Sequence, residues 1–547
     1  MLDPHLSISA GELHPPLENK CVNDVLSQAV KNYPSQPAVI SVWQDKTLSF
    51  EELNDLAKKV AASLLHTGIL PGDRVGIWSA NRLEWVIVQF AVAKIGAVLV
   101  NINPAYRLSE LEHVVEHSGC KAIFIHHFYR EKDCLELAKQ VKEKSNYLEN
   151  IFIFKDDPID GAISWRQLLE ISQELSSEAV EAYTSSITSD QLISIQYTSG
   201  TTGNPKGATL NHYNMVNNAF QIVSRLKLSA SDRVCVPVPL FHCFGMVLGV
   251  LGAFSVGAAV VFPTESFDPE SCLSAVESQS CTTLYGVPMM FIAMLNHPRF
   301  DEFRLKSLRT GVMGGAPCPA EVLRAVMDKM HAHEMSVAYG MTETSPISFQ
   351  TRLDHSFEQR VETVGSVLPH THAKVIDPQS GEILPLGTAG ELCIKGYLVM
   401  PGYWQNPEAT TKVIDPEGWM HTGDLAIMRP DGCLAIVGRI KEMVIRGGEN
   451  IFPREIEEFL HTIPQIAEAQ VFGIPDQLYG EQLYAWVRLK HNTSITTEQL
   501  KEVCKGNIAS FKIPKIFRIV NEFPTTASGK VQKFRMREIE IERGSAS

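Results

Sequence analysis

The sequence predicts an α/β protein whose mainly parallel sheets are covered by helices. Segments of helical periodicity alternate with short runs rich in valine and isoleucine, which is the pattern of parallel strands joined through helices. The chain has 547 residues, more than one hydrophobic core usually serves. We therefore expect a large N-terminal domain of helix-covered sheets with a small barrel-like lobe, followed by a small α+β C-terminal domain.

The first α/β unit begins with a helix. Ser49 and Glu52 have the spacing of a capping box, in which each side chain bonds to the other residue's backbone. A strand is expected over 74–78, a helix over 84–95 and a strand over 98–100. This alternation indicates a parallel sheet.

A second α/β unit is expected over 192–341, and a lobe of short alternating strands over 361–437. The pattern then changes to that of a compact α+β domain. Its predicted elements are a helix over 453–461, strands over 468–474 and 483–489, a helix over 497–508 and a strand over 515–519. We expect the boundary at 438–442, which gives domains 1–438 and 439–547.

The segment 244–262 could be mistaken for a membrane span because its 19 residues carry no charge. Four glycines interrupt it, and no cluster of lysine or arginine flanks it. Its second half, 258–263, has the composition of a buried strand. We therefore expect a core helix and strand here, and no integral membrane segment.

The net charge and the cysteine content exclude several classes of partner and of structural site. The net charge of −13, without long basic runs, argues against a nucleic-acid partner. The eleven cysteines contain no CxxC pair, which argues against a disulfide framework and a cysteine zinc site. No export signal or peroxisomal address is visible, so a cytoplasmic location is expected. The oligomeric state stays open and includes a homodimer.

Three histidine pairs lack further ligands at metal-site spacing, and we interpret them as surface or structural: 126/127, 331/333 and 370/372.

The most informative segment is YTSGTTGNPKG, residues 197–207, which follows an apolar run. Glycines allow backbone N–H groups to converge on an anion, hydroxyl groups add donors, and a lysine adds positive charge. The spacing differs from that of the common GxxxxGK[ST] loop. The predicted phosphate-binding residues are Thr198, Ser199, Gly200, Thr201, Thr202, Gly203, Asn204, Pro205 and Lys206.

Four further motifs follow this loop in order. They are YGMTET at 339–344, GWMHTGD at 418–424, VGR at 437–439 with Lys441, and PTTASGK at 524–530. Together the five motifs resemble the adenylate-forming superfamily of acyl-CoA synthetases, beetle luciferases and peptide-synthetase adenylation domains. The resemblance extends over nearly the whole chain.

The resemblance implies that a carboxylate attacks the α-phosphate of ATP, which gives an acyl adenylate and pyrophosphate. The loop 198–206 would then hold the β- and γ-phosphates, with Lys206 stabilising their charge. Glu343 would help to place Mg²⁺, and Thr344 would bond the α-phosphate. Lys530, on a mobile part of the small domain, would bridge the carboxylate and the α-phosphate.

The adenosine site follows from the same resemblance. The ring of Tyr339 offers a stacking face for adenine, and Asp424 can accept from both ribose hydroxyls while Arg439 donates to the same sugar. The remaining nucleotide-binding residues would be Gly315, Ala316, Pro317, Gly340, Met341 and Thr342.

The acyl site is inferred from what is missing. Amino-acid adenylation domains carry an aspartate for the substrate ammonium in the fourth core motif, whereas this chain has His242 there. An apolar tunnel for an acyl chain is therefore expected. Its predicted residues are His242, Gly245, Met246, Tyr285, Gly286 and Gly314.

The acceptor should be CoA, because no carrier-protein domain follows residue 547. By resemblance, Arg446, Gly447, Gly448 and Glu449 belong to a turn that lines the pantetheine channel. Lys512 is a candidate for the CoA phosphates. Lys441 is the expected hinge residue about which the small domain rotates between the two half-reactions.

These inferences predict an AMP-forming acyl-CoA synthetase for a fatty acid, medium-chain in the first instance, that uses ATP, Mg²⁺ and CoA. An aryl-acid CoA ligase of the same superfamily is the nearest alternative. The alternatives from a different class are a membrane-associated acyl carrier without catalysis and a binding protein that has lost catalysis. The sequence leaves the exact acid and the pathway open.

Overall fold

The computed structural model describes residues 4–172, 177–198, 205–446, 449–476, 479–525 and 531–545. The chain forms two compact units. The larger unit contains Ser9–Ala373 and Ile394–Met420, and the smaller unit contains Met1–Ile8, Lys374–Cys393 and His421–Ser547. The division into domains 1–438 and 439–547 stays a prediction.

The strands are short and mostly follow the valine- and isoleucine-rich runs of the sequence. In chain order they are β1 (Ile8–Ala10), β2 (Pro37–Ser41), β3 (Lys46–Ser49), β4 (Arg74–Trp78), β5 (Val98–Ile102), β6 (Cys120–Ile125), β7 (Phe128–Tyr129), β8 (Lys132–Asp133), β9 (Asn150–Ile153), β10 (Ile163–Ser164), β11 (Leu192–Thr198), β12 (Lys206–Asn211), β13 (Arg233–Cys235), β14 (Ala259–Phe262), β15 (Thr283–Gly286), β16 (Thr310–Gly314), β17 (Glu334–Gly340), β18 (Ile347–Gln350), β19 (Ser366–Val367), β20 (Thr371–Ile376), β21 (Ala389–Gly396), β22 (Gly402–Tyr403), β23 (Met420–Met428), β24 (Leu434–Arg439), β25 (Val444–Arg446), β26 (Glu449–Ile451), β27 (Ile466–Asp476), β28 (Gly480–Leu489) and β29 (Ile516–Ile519).

The helices alternate with these strands. The Ser49 hydroxyl accepts from the Glu52 backbone, and the Glu52 carboxylate accepts from the Ser49 backbone, so the predicted capping box is confirmed. The helices are α1 (Val22–Asn32), α2 (Phe50–His66), α3 (Leu83–Lys94), α4 (Leu108–Ser118), α5 (Cys134–Lys144), α6 (Trp165–Ile171), α7 (Ser177–Ser185), α8 (His212–Arg225), α9 (Ala253–Ser255), α10 (Pro269–Ser278), α11 (Pro288–Leu295), α12 (Ala320–Lys329), α13 (Phe357–Glu362), α14 (Pro407–Thr411), α15 (Pro453–His461), α16 (Thr497–Asn507) and α17 (Lys533–Ser545).

Two sheets form the larger unit. One has the order β10-β9-β6-β4-β5-β11-β12-β22 and is parallel from β10 to β11. The other has the order β19-β18-β17-β16-β15-β13-β14-β2-β3 and is parallel from β17 to β2. The predicted class of helix-covered, mainly parallel sheets is confirmed.

Three hydrophobic cores hold these layers together. A central core contains buried side chains of both sheets and of α1, α2, α3 and α8, so these helices lie between the sheets. On the outer faces, α4 and α5 cover the eight-stranded sheet, and α10, α11 and α12 cover the nine-stranded sheet. Burial on both faces explains why the parallel strands are almost continuously apolar.

The uncharged segment 244–262 is buried, as predicted. It forms a π-helix over Phe244–Gly252, then α9 and β14. A Cβ added at Gly249 would lie 2.9 Å from Val236, which shows how glycine permits close packing here. Among the residues that the structure describes, no helix is both long enough and apolar enough to cross a bilayer.

Two further sheets lie largely within the residues of the smaller unit. The strands β1, β20, β21, β23 and β24 pair in that order. All but β1 lie in the region 361–437 predicted for the strand-rich lobe, apart from the last two residues of β24, and β1 comes from the N-terminal segment Ile8–Ala10. The C-terminal sheet has the order β26-β25-β28-β27, and β29 pairs with β28. Helices α15 and α16 share one hydrophobic core with this sheet, and α17 shares a second one. This is the α+β arrangement that the sequence predicts.

Candidate active site

The candidate site begins where neighbouring parallel strands of the larger unit end. In the nine-stranded sheet, β15 ends at Gly286, β16 at Gly314 and β17 at Gly340. Gly286 pairs with Met313, and Gly314 pairs with Ala338, so the three carboxyl ends lie side by side. Ligands of open α/β sheets bind at this edge. The structure therefore brings residues predicted for adenine and for the acyl chain to one sheet edge.

Glycine is required at the end of β17 and favoured just after the end of β16. A Cβ at Gly340 would lie 1.8 Å from the Pro346 carbonyl oxygen, too close for any side chain. Gly315 has a φ of +82°, which favours glycine. Gly315, Ala316 and Pro317 are exposed, while Tyr339 is half-buried with its ring 6.4 Å from that of Phe349.

The predicted metal-placing residue, Glu343, is held by a tyrosine that the sequence analysis missed. The Tyr403 hydroxyl donates a 2.8 Å hydrogen bond to Glu343 Oε1, and the glutamate is 6% exposed. Burial and the neighbouring carboxylate raise the pKa of Tyr403, so its hydroxyl stays a donor. Tyr403 belongs to none of the five sequence motifs. It reaches the site through the pairing of β22 with β12.

The same tyrosine contacts the phosphate-loop hairpin. Tyr403 on β22 pairs with Ala208 on β12, and its ring centroid lies 5.2 Å from Lys206 Nζ. The ring thus faces the lysine while its hydroxyl reaches Glu343. A cation over an aromatic face is attracted by the ring quadrupole, which orients Lys206.

The ends of the predicted phosphate loop are fixed by antiparallel pairing. Thr198 on β11 pairs with Lys206 on β12, and the Thr198 hydroxyl donates to the Lys206 carbonyl oxygen at 3.4 Å. The loop therefore joins two neighbouring strands. The predicted residues Ser199, Gly200, Thr201, Thr202, Gly203 and Asn204 lie outside the described residues.

Thr344 is fully buried in the turn after β17. Its hydroxyl lies 3.0 Å from the Met341 carbonyl oxygen and 2.8 Å from that of Pro346, and it accepts from the Met341 N–H at 3.2 Å. Binding a phosphate oxygen would require this hydroxyl to turn away from both carbonyls, because it has one proton to donate. Its predicted contact with the α-phosphate stays a prediction.

The segment predicted to line the acyl site is fixed by two buried asparagines. The Leu240 N–H donates to Asn81 Oδ1 at 2.8 Å, and Asn101 Nδ2 donates to the Phe241 carbonyl oxygen at 3.2 Å. Because Asn81 and Asn101 belong to or follow strands of the eight-stranded sheet, they connect that sheet to the His242 segment. The sequence analysis missed both residues.

Several predicted acyl-site residues are tightly packed. Tyr285 is fully buried, and its ring lies 5.9 Å from that of Phe244. A Cβ at Gly245 would lie 2.4 Å from the Pro239 carbonyl oxygen, and one at Gly286 would lie 2.9 Å from the Phe291 ring. These glycines therefore have a packing role. Lining of an acyl tunnel by His242, Gly245, Met246, Tyr285, Gly286 and Gly314 stays a prediction.

In the smaller unit, the two residues predicted for ribose form an ion pair. Asp424 on β23 pairs with Arg439 on β24, and Arg439 Nε donates to Asp424 Oδ1 at 3.0 Å. Asp424 is 7% exposed. The guanidinium orients the carboxylate. Lys441, the predicted hinge residue, lies two residues after Arg439, in the 3₁₀ turn Ile440–Glu442.

The residues predicted for CoA are partly engaged within the smaller unit. Arg446 donates to the Phe511 carbonyl oxygen at 2.6 Å and lies over the Tyr479 ring. Lys512 Nζ forms a 2.5 Å ion pair with Glu455, which a CoA phosphate would have to replace. Glu449 begins β26. Gly447, Gly448 and the predicted catalytic Lys530 lie outside the described residues.

Parallel strands that end in glycines, together with a buried glutamate and a hairpin that carries a lysine, are typical of nucleotide-binding α/β enzymes. A family model described as AMP-binding enzyme matches residues 26–404, and one described as AMP-binding enzyme C-terminal domain matches residues 455–530. The chain belongs to the AMP-binding enzyme family, and the resemblance to the adenylate-forming superfamily is confirmed.

Relatives and solved structures agree with this assignment. YngI of Bacillus subtilis (strain 168), an acyl-CoA synthetase by name, is 42% identical over 96% of this chain and 98% of its own. The medium-chain acyl-CoA ligase ACSF2 (mitochondrial) of Danio rerio is 41% identical over 96% of this chain and 89% of its own. ATP-bound MatB from Rhodopseudomonas palustris is 28% identical with a TM-score of 0.84, over 95% of this chain and 99% of that one.

The anthranilate CoA ligase AuaEII, solved with anthranoyl-AMP, is 25% identical with a TM-score of 0.86, over 97% of this chain and 99% of that one. Its fold is thus as similar as that of MatB. Fold similarity alone does not distinguish substrate classes within this family.

Proposed function

We propose that this enzyme is an AMP-forming acyl-CoA synthetase that activates a medium-chain fatty acid and transfers the acyl group to CoA. The observation that carries the proposal is the 41% identity, over nearly the whole chain, to a relative named as a medium-chain acyl-CoA ligase. The absence of an ammonium-binding aspartate at position 242 supports a simple carboxylic acid rather than an amino acid.

In the first half-reaction, a carboxylate oxygen forms a bond to the α-phosphorus of ATP, and the bond to the pyrophosphate oxygen breaks. Lys206 and the loop 198–206 would hold the phosphates that leave, while Tyr339 and the exposed Gly315 segment would hold adenine. Asp424 and Arg439 would hold the ribose. Lys530 would stabilise the charge that develops between the two anions.

Mg²⁺ fits the residues present. A carboxylate is the hard oxygen ligand that Mg²⁺ prefers, and Mg²⁺ sites in phosphoryl-transfer enzymes use one or two carboxylates together with substrate phosphates. The Tyr403 hydroxyl donates to Glu343 Oε1 and so orients the carboxylate that would hold Mg²⁺. When bound, Mg²⁺ would reduce the repulsion between the nucleotide and the incoming carboxylate.

In the second half-reaction, the CoA thiol attacks the acyl carbon, and AMP leaves with the electron pair of the acyl–phosphate bond. Arg446 to Glu449 would line the pantetheine path, and Lys512 would bind a CoA phosphate. Lys441 would act as the hinge between the two steps. A cytoplasmic location and a homodimer belong to the same set of proposals.

An aryl-acid CoA ligase is a second candidate because of the fold match to AuaEII. The test is pyrophosphate release over a panel of acids, from butyrate to palmitate together with benzoate and anthranilate, with and without CoA. We expect the highest kcat/KM for acids of intermediate length, between butyrate and palmitate. A preference for the aromatic acids would replace the fatty-acid proposal, and no pyrophosphate with any acid would contradict both.

A further inference from the structure

Three potential metal ligands meet on one face of the five-stranded sheet in the smaller unit. Glu391 and Cys393 lie two residues apart on β21, so their side chains point to the same face. His421 lies on the neighbouring strand β23. The Thr422 hydroxyl donates to the Leu392 carbonyl oxygen at 2.8 Å and fastens the two strands at this point.

The ligand atoms of Glu391 and Cys393 both lie close to Nδ1 of His421. His421 Nδ1 lies 3.0 Å from Glu391 Oε2 and 3.6 Å from Cys393 Sγ, and one ligand atom from each residue lies within 4.8 Å of the others. A tetrahedral Zn²⁺ with Zn–S of about 2.3 Å and Zn–N of about 2.05 Å separates sulfur and nitrogen by about 3.6 Å. It separates nitrogen and carboxylate oxygen by about 3.3 Å. Small side-chain movements would therefore complete such a site.

The donor set selects the metal. One thiolate, one imidazole and one carboxylate suit Zn²⁺ and Co²⁺, whereas Mg²⁺ and Ca²⁺ prefer oxygen ligands alone. Cys393 is fully buried, while the side chains of Glu391 and His421 are 12% and 31% exposed. An ion can therefore enter from the side of the glutamate and histidine, and a water molecule can reach the fourth position.

The surroundings also orient the ligands. The backbone N–H of Gly423 donates to Glu391 Oε1 at 3.3 Å, which leaves Oε2 directed at His421. Hydrogen bonds of this kind to a ligating carboxylate are typical of protein metal sites.

We propose that Glu391, Cys393 and His421 form a binding site for one Zn²⁺-class ion, with three protein ligands and an open fourth position. On binding, the Cys393 thiol would lose its proton to solvent, and His421 would bind the ion through Nδ1 with its remaining ring proton on Nε2. The ion would link β21 to β23, the strand that also carries Asp424.

The test is a titration of the purified, metal-free, full-length protein with Co²⁺. We expect a band from thiolate-to-Co²⁺ charge transfer, saturation at one ion per chain, displacement by Zn²⁺ and no effect of millimolar Mg²⁺. His421→Gln and Cys393→Ser should each weaken Co²⁺ binding by at least about tenfold. In addition, Cys393→Ser should abolish the charge-transfer band. Glu391→Gln, at a partly exposed position, keeps the thiolate and should weaken Co²⁺ binding while retaining the band.

Matched controls are Cys433→Ser, a buried cysteine of the same unit, and His372→Gln, an exposed histidine. Both should bind Co²⁺ as the unsubstituted protein does. Circular dichroism confirms folding of each variant. Lack of a charge-transfer band in the unsubstituted protein, or an unchanged band in folded Cys393→Ser, would overturn the proposal.

Discussion

The Tyr403 hydroxyl lies 2.8 Å from a carboxylate oxygen of Glu343 and connects the phosphate-loop sheet to the turn after β17. The two residues are 60 positions apart in the chain. Tyr403 lies on β22 of the eight-stranded sheet, whereas Glu343 lies in the turn between β17 and β18 of the nine-stranded sheet. Because the Tyr403 ring also faces Lys206, one side chain orients both charged groups predicted to act on the phosphates. The first prediction concerns this residue.

Tyr403→Phe should reduce adenylation and raise the Mg²⁺ concentration needed for half-maximal pyrophosphate release. The substitution keeps the ring under Lys206 but removes a hydrogen bond to a buried carboxylate, at a cost of about 1.5 to 3 kcal/mol. Tyr397→Phe is the control, since it removes the hydroxyl of a half-buried tyrosine of the larger unit, one that lies 3.5 Å from Asn218 Nδ2. An equal shift in the Mg²⁺ requirement in both variants would remove Tyr403 from the site.

Asp424→Asn should weaken ATP binding roughly ten- to a hundredfold. The amide keeps the size of the side chain but loses the charge that pairs with Arg439 and accepts from ribose hydroxyls, worth about 1.5 to 3 kcal/mol. Isothermal titration calorimetry with ATP measures the change. Asp431→Asn, at an exposed ion pair of the same unit, serves as the comparison and should bind ATP normally. Equal affinity in both variants would contradict the ribose assignment.

Lys441→Pro should preserve acyl-adenylate formation and abolish most thioester formation. Proline fixes φ near about −65° and therefore opposes the backbone rotation expected of a hinge. Single-turnover assays separate the two steps, with pyrophosphate release reporting the first and acyl-CoA the second. Lys441→Ala, which leaves φ free, should retain both. Survival of both steps in the folded proline variant would show that the hinge lies elsewhere.

Acid should destabilise the larger unit through His212. This histidine is fully buried, and burial lowers its pKa to about 4, while its Nδ1 accepts from the Val22 N–H at 3.1 Å. Its pKa in the unfolded chain is near 6.5. The unfolded state therefore binds more protons between pH 6.5 and about 4, so stability falls as pH decreases through this range.

The expected loss is about 3 kcal/mol by pH 4, at roughly 1.4 kcal/mol per pKa unit. His212→Gln should lose less stability on acidification than the unsubstituted protein, even if it starts lower. Unfolding by urea at pH 7 and pH 5 measures the difference, with His372→Gln, at an exposed position, as the comparison. A pH dependence identical to that of the unsubstituted protein would show that His212 does not titrate in this way.

Local signals in the sequence predicted much of the fold. The expected strand at 74–78 and helix at 453–461 have the observed bounds, because apolar periodicity and a leading proline specify them locally. The strand expected at 468–474 extends over 466–476, since pairing with β28 lengthens it. The segment after Phe244 is a π-helix, a detail that hydrophobicity alone does not encode.

The sequence predicted only some of the residues that form the site. The motifs identified Glu343 and Asp424, but Tyr403, Asn81 and Asn101 reach the site only through strand pairing and packing between sheets. Glu391, Cys393 and His421 were missed for the same reason, because 28 residues separate the cysteine from the histidine. Contacts at such separations depend on register, which a single sequence does not specify.

The central claim is that this enzyme makes an acyl adenylate and then passes the acyl group to CoA. Its most direct test is mass spectrometry of a single turnover with ATP, Mg²⁺ and octanoate, followed by addition of CoA. We predict octanoyl-AMP and pyrophosphate first, then conversion to octanoyl-CoA and AMP, with Lys530→Ala slowing the first step roughly a hundred- to a thousandfold and sparing the second. Formation of ADP and phosphate, or of octanoyl-CoA without an adenylate in any time window, would contradict it.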